Sequence, residues 1–519
     1  MGKGGLDPSA KMLPDRRIFD RRTQKRFTMK RLFYLFLIWP FLTVSVQSQS
    51  LPFGDEFARL RGLGTRTVSW TLPAGVQSRG SFPQALQDSF QQALQARLTA
   101  LNVKGLSAAV LSEDGAIWTG TAGISHVGTT MTTEMYLGMG SISKTFTSAC
   151  LLRLQEEGFL SLDDTIGMYL PDYPNVPGDV TIRQLLNHTS GIFNYTDHPN
   201  ILDSAQADFS RIWTPDEVLQ RFVLAPYFAP GAGWHYSNTN YVLAGRIIET
   251  VTGQSFHEAV RQRLLAPNGL DSIFLNPQEP ASGPVAHVWT EISPGQVLDM
   301  DGAGLTPISV YSMAWAAGSY FTRPELLVYW MQKLTDGEIL SDTSWAQMTD
   351  WVPANANIDY GLGLIKLTQP GGEPAYGHSG YIIYASECYH DTKTGLTMAI
   401  QSNDGRATDL IPFLEDVAGI YDAYISATGR PVPVSSGICY PNPATDVLLL
   451  RAPGGKPLRA MRVFDGVGRE VRWSGLPGHA GPDEWRLNIS ALPGGVYSIL
   501  ADWGGETTRY RFVKLGPSR

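Results

Sequence analysis

Ser141-Ile142-Ser143-Lys144-Thr145-Phe146-Thr147-Ser148-Ala149-Cys150-Leu151-Leu152 is the stretch from which the rest of this chain can be read. Its pattern predicts a helix that opens near Ser141 and stops at Gly158. Residues i and i+3 share a helix face, so Lys144 can set its amine beside the Ser141 hydroxyl. A serine hydroxyl at its ordinary pKa is a poor nucleophile and needs an adjacent base. A helix N-terminus also presents free N–H groups and positive dipole where an oxyanion would develop. Alone the motif is weak, because Ser-x-x-Lys arises by chance about once in a chain of this length.

Two later triplets give it meaning. Tyr236-Ser237-Asn238 follows Pro230-Gly231 and Trp234-His235. A tyrosine becomes a general base if nearby cations lower its pKa from about 10. An asparagine two residues on can hydrogen-bond a substrate amide. His378-Ser379-Gly380 lies in a strand-like run, where a cationic or neutral donor, a hydroxyl and a glycine would line one wall of a site. The glycine would let a substrate backbone lie close. Each triplet alone would be dismissed; the three in this order, each on the element its role requires, carry a joint signal.

Around these motifs the chain is organised as follows. Pro83–Asn102 has helical spacing of apolar positions, and Ser107–Leu111 with Ala116–Thr121 reads as a hairpin turned at Glu113-Asp114-Gly115. A helix-rich middle includes Thr181–Asn187 and Asn240–Thr252. Strand-like runs return at Gly361–Leu367, Tyr376–Tyr384 and Leu396–Gln401, and a helix at Leu410–Tyr424 closes the unit. Strands at both ends with helices between them predict an α+β fold, a three-layer α/β/α unit with an antiparallel sheet and an all-helical subdomain. After Arg430-Pro431-Val432-Pro433, short alternating strands at Val447–Arg451, Ala460–Phe464, Glu484–Ile489, Gly495–Ala501 and Thr507–Lys514 predict a small all-β sandwich. The expected divisions are 51–428 for the first domain, 429–435 for a linker and 436–519 for the second.

Charge is segregated. Residues 51–435 carry 20 Lys/Arg against 38 Asp/Glu, an acidic body that would repel a phosphate backbone and argues against nucleic acid as a partner. Residues 1–31 are basic, and Met29-Lys30-Arg31 leads into apolar Leu32–Val46 and the small polar run Val46–Ser50. That pattern reads as a signal peptide over 29–50, with 1–28 an upstream extension and a retained membrane anchor as the alternative. Three cysteines are too few for a disulfide framework; Cys150 reads as a buried thiol, and a single Cys388–Cys439 bridge stays open. The acidic residues lack metal-ligand spacing, so neither a metal nor another cofactor is implied.

From about Ser107 to about Tyr424 the chain resembles the serine β-lactamase and penicillin-binding-protein family, in the branch of class C β-lactamases, D-alanyl-D-alanine carboxypeptidases and related esterases. The three motifs carry the resemblance, together with Gly158–Asp164, Thr181–Gly191, Tyr236–Tyr241 and Tyr376–Tyr381. It implies that Ser141 is acylated, that Lys144 and Tyr236 share the proton traffic, and that Asn238 holds the acyl-side amide. It further implies substrate contacts from His378, Ser379 and Gly380, and an oxyanion hole from the backbone N–H groups of Ser141 and Tyr381. Tyrosine in the second motif sets the chain apart from class A enzymes. His378, where many members carry Lys, favours the carboxypeptidase and esterase members over true class C β-lactamases. The substrate so implied is a small peptide, an ester or a β-lactam-like compound; a β-lactamase of class C type, or a non-catalytic surface protein that binds peptidoglycan-like ligands, is the alternative.

Other residues near the motifs have quieter readings. Ser143 and Ser379 read as packing or site-lining hydroxyls, His188 as a structural histidine, His235 as a flank of Tyr236, Trp234 and Tyr195 as core or cleft border, and Lys366 as a solvated lysine. The tail motifs Tyr440–Asp446, Leu492–Tyr497 and Val513–Leu515 are similar to the C-terminal sorting domain of type IX secretion cargo in Bacteroidetes-type bacteria. That resemblance implies export through outer-membrane secretion machinery to the surface or the medium; a carbohydrate-binding sandwich is the alternative.

Overall fold

The computed structural model describes residues 80–355, 357–368 and 373–428, and segments of the tail between 435 and 514. The expected extension 1–28, the signal segment 29–50 and nearly all of the linker lie outside the described residues. Contacts divide the chain into two units, residues 70–290 with 298–519, and residues 1–69 with 291–297. Of the smaller unit, 291–297 are described and form a hairpin tip, where Gly295 N–H donates to Glu291 Oε1 (2.7 Å).

The larger unit is built on an antiparallel sheet. Its central run comprises β1 (Gly105–Leu111), β2 (Ala116–His126), β3 (Ile358–Tyr360), β4 (Ile365–Thr368), β5 (Pro374–Ile382), β6 (Tyr384–Asp391) and β7 (Leu396–Ser402). The spatial order is β2-β1-β7-β6-β5-β4-β3, within ten strands formed by the described residues. All seven residues of β1 are buried, because both faces are covered. Side chains alternate along it: Ala109 and Leu111 join one apolar core, Ala108 and Val110 the other. The second core is closed by α1 (Gln84–Leu101), which buries Leu86, Phe90, Ala93 and Leu94 on one stripe, and by α5 (Ile411–Thr428).

The first core holds the helices that carry the site: α2 (Ser143–Glu156), α3 (Asn238–Thr252) and α4 (Pro324–Thr335). Ser143 through Leu152 of α2 are buried without a break, so its hydroxyls must find partners inside. Thr145 Oγ1 donates to the Ile142 carbonyl (2.8 Å) and accepts from Trp330 Nε1 (2.8 Å), Thr147 Oγ1 donates to the Ala316 carbonyl (2.8 Å), and Ser143 Oγ accepts from Tyr320 N–H (3.2 Å). Ser143 is thus a packing hydroxyl.

Two expected strands are divided in the structure. Gly361–Leu367 is a turn followed by β4, because Gly363 has φ 74° and packs so tightly on α2 that a Cβ would collide with Ser148 Oγ. Tyr376–Tyr384 ends at Ile382, and after Ile383 at φ 67° the chain reverses into β6. None of the three cysteines forms a disulfide, and all three are buried.

In the tail, β8 (Val447–Arg451) and β9 (Ala460–Asp465), then β10 (Glu484–Asn488), β11 (Gly495–Asp502) and β12 (Thr507–Lys514) follow the expected strands closely. They fall into two sheets, β8 and β10 in one and β9, β11 and β12 in the other, around Leu448, Leu450, Leu487, Ile499, Trp503 and Tyr510. No helix among the described residues is long and apolar enough to cross a membrane.

Candidate active site

Ser141 sits in a 3-10 turn, Gly140–Ile142, that runs straight into α2. Gly140 has φ 53°, and a Cβ there would collide with the backbone nitrogen of Tyr381. The turn is therefore pressed against β5, which puts the two expected oxyanion donors, Ser141 N–H and Tyr381 N–H, on touching segments. Ser386 Oγ fixes the contact by donating to the Met139 carbonyl (2.7 Å). That same carbonyl fills the space a Cβ on Gly380 would need, so Gly380 admits the protein's own chain rather than only a substrate.

Lys144 is fully buried. Its Nζ lies 2.9 Å from Ser141 Oγ, 2.8 Å from Asn238 Oδ1 and 2.6 Å from the Ala317 carbonyl oxygen. Burial holds the amine well below the ordinary lysine pKa. A neutral amine has two N–H groups and one lone pair. Asn238 Oδ1 and the Ala317 oxygen can only accept, so they take both N–H groups and leave the lone pair for the Ser141 hydroxyl. That is the arrangement of a general base. Ala317 follows Trp315, a bulky residue at φ 38° and ψ −121°, a strained conformation held by packing against Phe256 (5.1 Å between ring centroids).

The Tyr236 hydroxyl is buried, with Ser141 as the polar group facing it, and Lys144 Nζ lies 4.9 Å from the ring centroid. Burial pushes its pKa above the ordinary tyrosine range, against the lowering by cations that a base role requires, and burial also lowers the amine of the lysine beside it. His188 packs on the ring at 4.3 Å, and its Nδ1 accepts from Ser237 N–H (3.2 Å). Asn238 opens α3; its N–H donates to Asn194 Oδ1 (2.9 Å), and its Nδ2 keeps only a long contact with Thr196 Oγ1 (3.4 Å).

On the opposite wall, β4 pairs with Pro374–Gly377 of β5 and stops there. From His378 to Ile382 that edge has no strand partner among the described residues. His378 Nδ1 donates to the Ser379 carbonyl (2.6 Å), leaving Nε2 to accept from the Tyr360 hydroxyl (2.9 Å). Burial, then the neighbouring Lys144, pushes its pKa down to about 3, so it is neutral. Ser379 faces the other side of the strand, its Oγ 3.1 Å from Tyr389 Oη.

Residues 90–411 match the sequence model of the family described as Beta-lactamase. The chain belongs to the beta-lactamase family. Residues 438–514 match the Secretion system C-terminal sorting domain. Penicillin-binding protein 4* of Bacillus subtilis is 27% identical over 288 residues, covering 50% of this chain and 62% of that protein, so the chain spans less than two thirds of that relative. A D-stereospecific amidohydrolase from Streptomyces sp. is 32% identical with a TM-score of 0.56, covering 63% of this chain and 97% of that one. A D-amino acid amidase from Ochrobactrum anthropi SV3 is 26% identical with a TM-score of 0.57, covering 66% and 99% respectively. The resemblance read from both parts of the sequence, to this serine-hydrolase family and to a secretion sorting domain, is borne out.

Within this beta-lactamase-family domain the structure brings Ser141, Lys144, Tyr236 and Asn238 together and sets β5 beside them. Lys366 is placed apart from these groups, paired with Asp359 (3.0 Å), and Tyr195 belongs to the core. His235 lies on the Tyr227 ring (3.8 Å), and Trp234 is near Tyr360 (6.0 Å). Sequence reasoning missed the Ala317 carbonyl, Asn194, Thr196 and Tyr360. None of the four lies in a segment that carries the family resemblance, so no sequence signal pointed to them.

Proposed function

We propose that this chain is an exported hydrolase that opens amide or ester bonds of D-amino-acid compounds through an acyl-enzyme on Ser141, as a carboxypeptidase-like peptidase, amidase or esterase. The carrying observation is the buried Lys144 amine, with both N–H groups committed and its lone pair turned to Ser141. The D-amino-acid class is supported by the amidohydrolase and amidase named above.

The chemistry follows from the placement. Lys144 takes the Ser141 proton as Oγ bonds to the substrate carbonyl carbon, and the oxyanion rests on the N–H groups of Ser141 and Tyr381. Collapse breaks the C–N or C–O bond to the leaving group, which receives that proton from the Lys144 ammonium by way of the Tyr236 hydroxyl. Water then attacks the ester, passes its proton through Lys144 back to Ser141 Oγ, and the acid product departs. Asn238 Nδ2, whose internal contact with Thr196 Oγ1 is long at 3.4 Å, holds the acyl-side amide. A neutral His378 offers no cation to a substrate carboxylate, which places penicillins behind amides and esters that carry none. The sorting-domain match supports export, with the outer-membrane machinery as partner.

The test is intact mass after treatment with a fluorophosphonate, a penicillin and a p-nitrophenyl ester, followed by turnover of a D-Ala-D-Ala peptide, nitrocefin and the ester. A covalent adduct on Ser141 that vanishes in Ser141→Ala is expected. No adduct with any reagent, or equal labelling of Ser141→Ala, overturns the reading.

A further inference from the structure

Tyr236 delivers the leaving-group proton in the mechanism above, yet no helix or strand holds it. It stands on irregular chain directly before Ser237, the N-cap of α3. Its buried hydroxyl faces Ser141 and is tied to no anchoring side chain among the described residues. Where that hydroxyl lies is therefore set by the tyrosine's ring and backbone.

His188 takes hold of both. It follows the short helix Ile182–Leu186; its carbonyl accepts from His235 N–H (3.0 Å) and its Nδ1 from Ser237 N–H (3.2 Å). These two bonds bracket Tyr236 in the chain. The imidazole packs on the Tyr236 ring with centroids 4.3 Å apart, nearer than Tyr360 (6.2 Å) or His378 (6.5 Å). Asn240 Nδ2 lies 3.3 Å from the same Nδ1, turned that way because Ser190 Oγ donates to Asn240 Oδ1 (2.8 Å). Two donors at Nδ1 leave the ring proton on Nε2.

The histidine occupies this place at a cost. Its backbone is left-handed, with φ 64°, a conformation that suits glycine or asparagine better. Its Nε2–H is buried and finds no acceptor among the described residues. Such costs persist only where the surrounding structure imposes them, and they cluster at functional sites. An asparagine would offer Ser237 N–H an acceptor from its preferred backbone. What histidine adds is the ring against Tyr236.

We propose that His188 is a positioning residue for proton delivery: wholly buried, it touches no substrate and fixes the Tyr236 hydroxyl between Ser141 and the leaving atom. This rests on the acyl-enzyme reading and adds the group that places its proton donor. As the C–N or C–O bond breaks, the Tyr236 O–H proton passes to the leaving atom and the Lys144 ammonium restores it. A hydroxyl displaced by about 1 Å fails poor leaving groups, which depart only as they are protonated, more than good ones, which depart as anions.

The experiment compares kcat/KM for the p-nitrophenyl and ethyl esters of N-acetyl-D-alanine. Both give the same acyl-enzyme, one from a leaving group that needs no proton and one from a leaving group that does. In His188→Ala the ethyl ester should lose about 10²-fold, and the ethyl to p-nitrophenyl ratio should fall by about tenfold or more. His188→Asn, which keeps the acceptor and suits the left-handed backbone, should lie between wild type and His188→Ala. In a Tyr236→Phe background His188→Ala should cost nothing further, because it acts through that hydroxyl. Equal losses on both esters, or a full added loss in the Tyr236→Phe background, overturn the proposal in favour of a packing role. Should His188→Ala fail to fold, His188→Asn decides by the same two readouts. A wild type that cleaves the p-nitrophenyl ester and leaves the ethyl ester intact also overturns it, since no donor then serves the leaving group. Cleavage of neither ester would instead remove the acyl-enzyme reading, and this proposal with it.

Discussion

The Tyr360 hydroxyl lies 2.9 Å from His378 Nε2, so both ring nitrogens of this histidine are occupied while burial keeps it neutral. His378 should therefore show no titration in the neutral range; its ring resonances, followed by NMR from pH 5 to 8, should stay fixed. Tyr360→Phe removes one hydrogen bond, worth about 1 kcal/mol, and should lower activity several-fold without creating a cation there. A His378 resonance that titrates near pH 6.5 would contradict this.

Lys144 sets the acid side of the activity profile. Because burial lowers its pKa, the amine is protonated only as pH falls through that lowered value, and acylation should be lost in that direction. The raised Tyr236 phenol should add no loss near neutrality on the alkaline side. Lys144→Arg substitutes a group that stays charged, and Tyr236→Phe removes the proton path; each should slow acylation by about 10²–10⁴-fold, read by stopped-flow burst kinetics.

Acid should weaken the fold through its buried histidines. His188 is held well below the ordinary value, His378 at about 3 and His390 at about 4, each mainly by burial. Between those values and the unfolded value of about 6.5 the unfolded chain binds more protons, so stability is present above pH 6.5 and is lost as pH falls. The slope should approach about 1.4 kcal/mol per pH unit for each histidine fully in that window. Urea midpoints at pH 7 and pH 5 check it; a midpoint that rises on acidification would be the wrong sign.

Gly140→Ala should damage the site more than the fold. The new Cβ meets Tyr381 N in a left-handed turn, so it strains the backbone by about 1–2 kcal/mol and shifts an oxyanion donor. Loss of one such donor costs about 10²–10³ in kcat. Comparing kcat with Tm separates the two effects, and a fall in Tm with kcat retained would refute the placement.

The parts legible in sequence were those written in side-chain identity. Ser141 and Lys144 could be found because helix spacing fixes that they meet, and Tyr236 and Asn238 because they form a recognisable triplet in the expected order. The Ala317 carbonyl could not, since any residue supplies a carbonyl and only the strained turn after Ala314 aims it. Tyr360 is brought to His378 by the strand order from β3 to β5, which one sequence does not reveal. Ile383 broke an expected strand because a β-branched residue favours extended backbone, and here tertiary contacts overrule it. The direction of the Tyr236 shift was open in the sequence for a related reason: it depends on burial, and burial belongs to the whole fold.

Both N–H groups of Lys144 are spoken for, and its amine is sealed inside the protein. The lysine at the centre of the site is therefore the one that amine-directed reagents reach last. Anhydrides and N-hydroxysuccinimide esters would decorate the surface lysines and leave this one intact. Immobilising the protein through its amines should consequently leave the nucleophile armed.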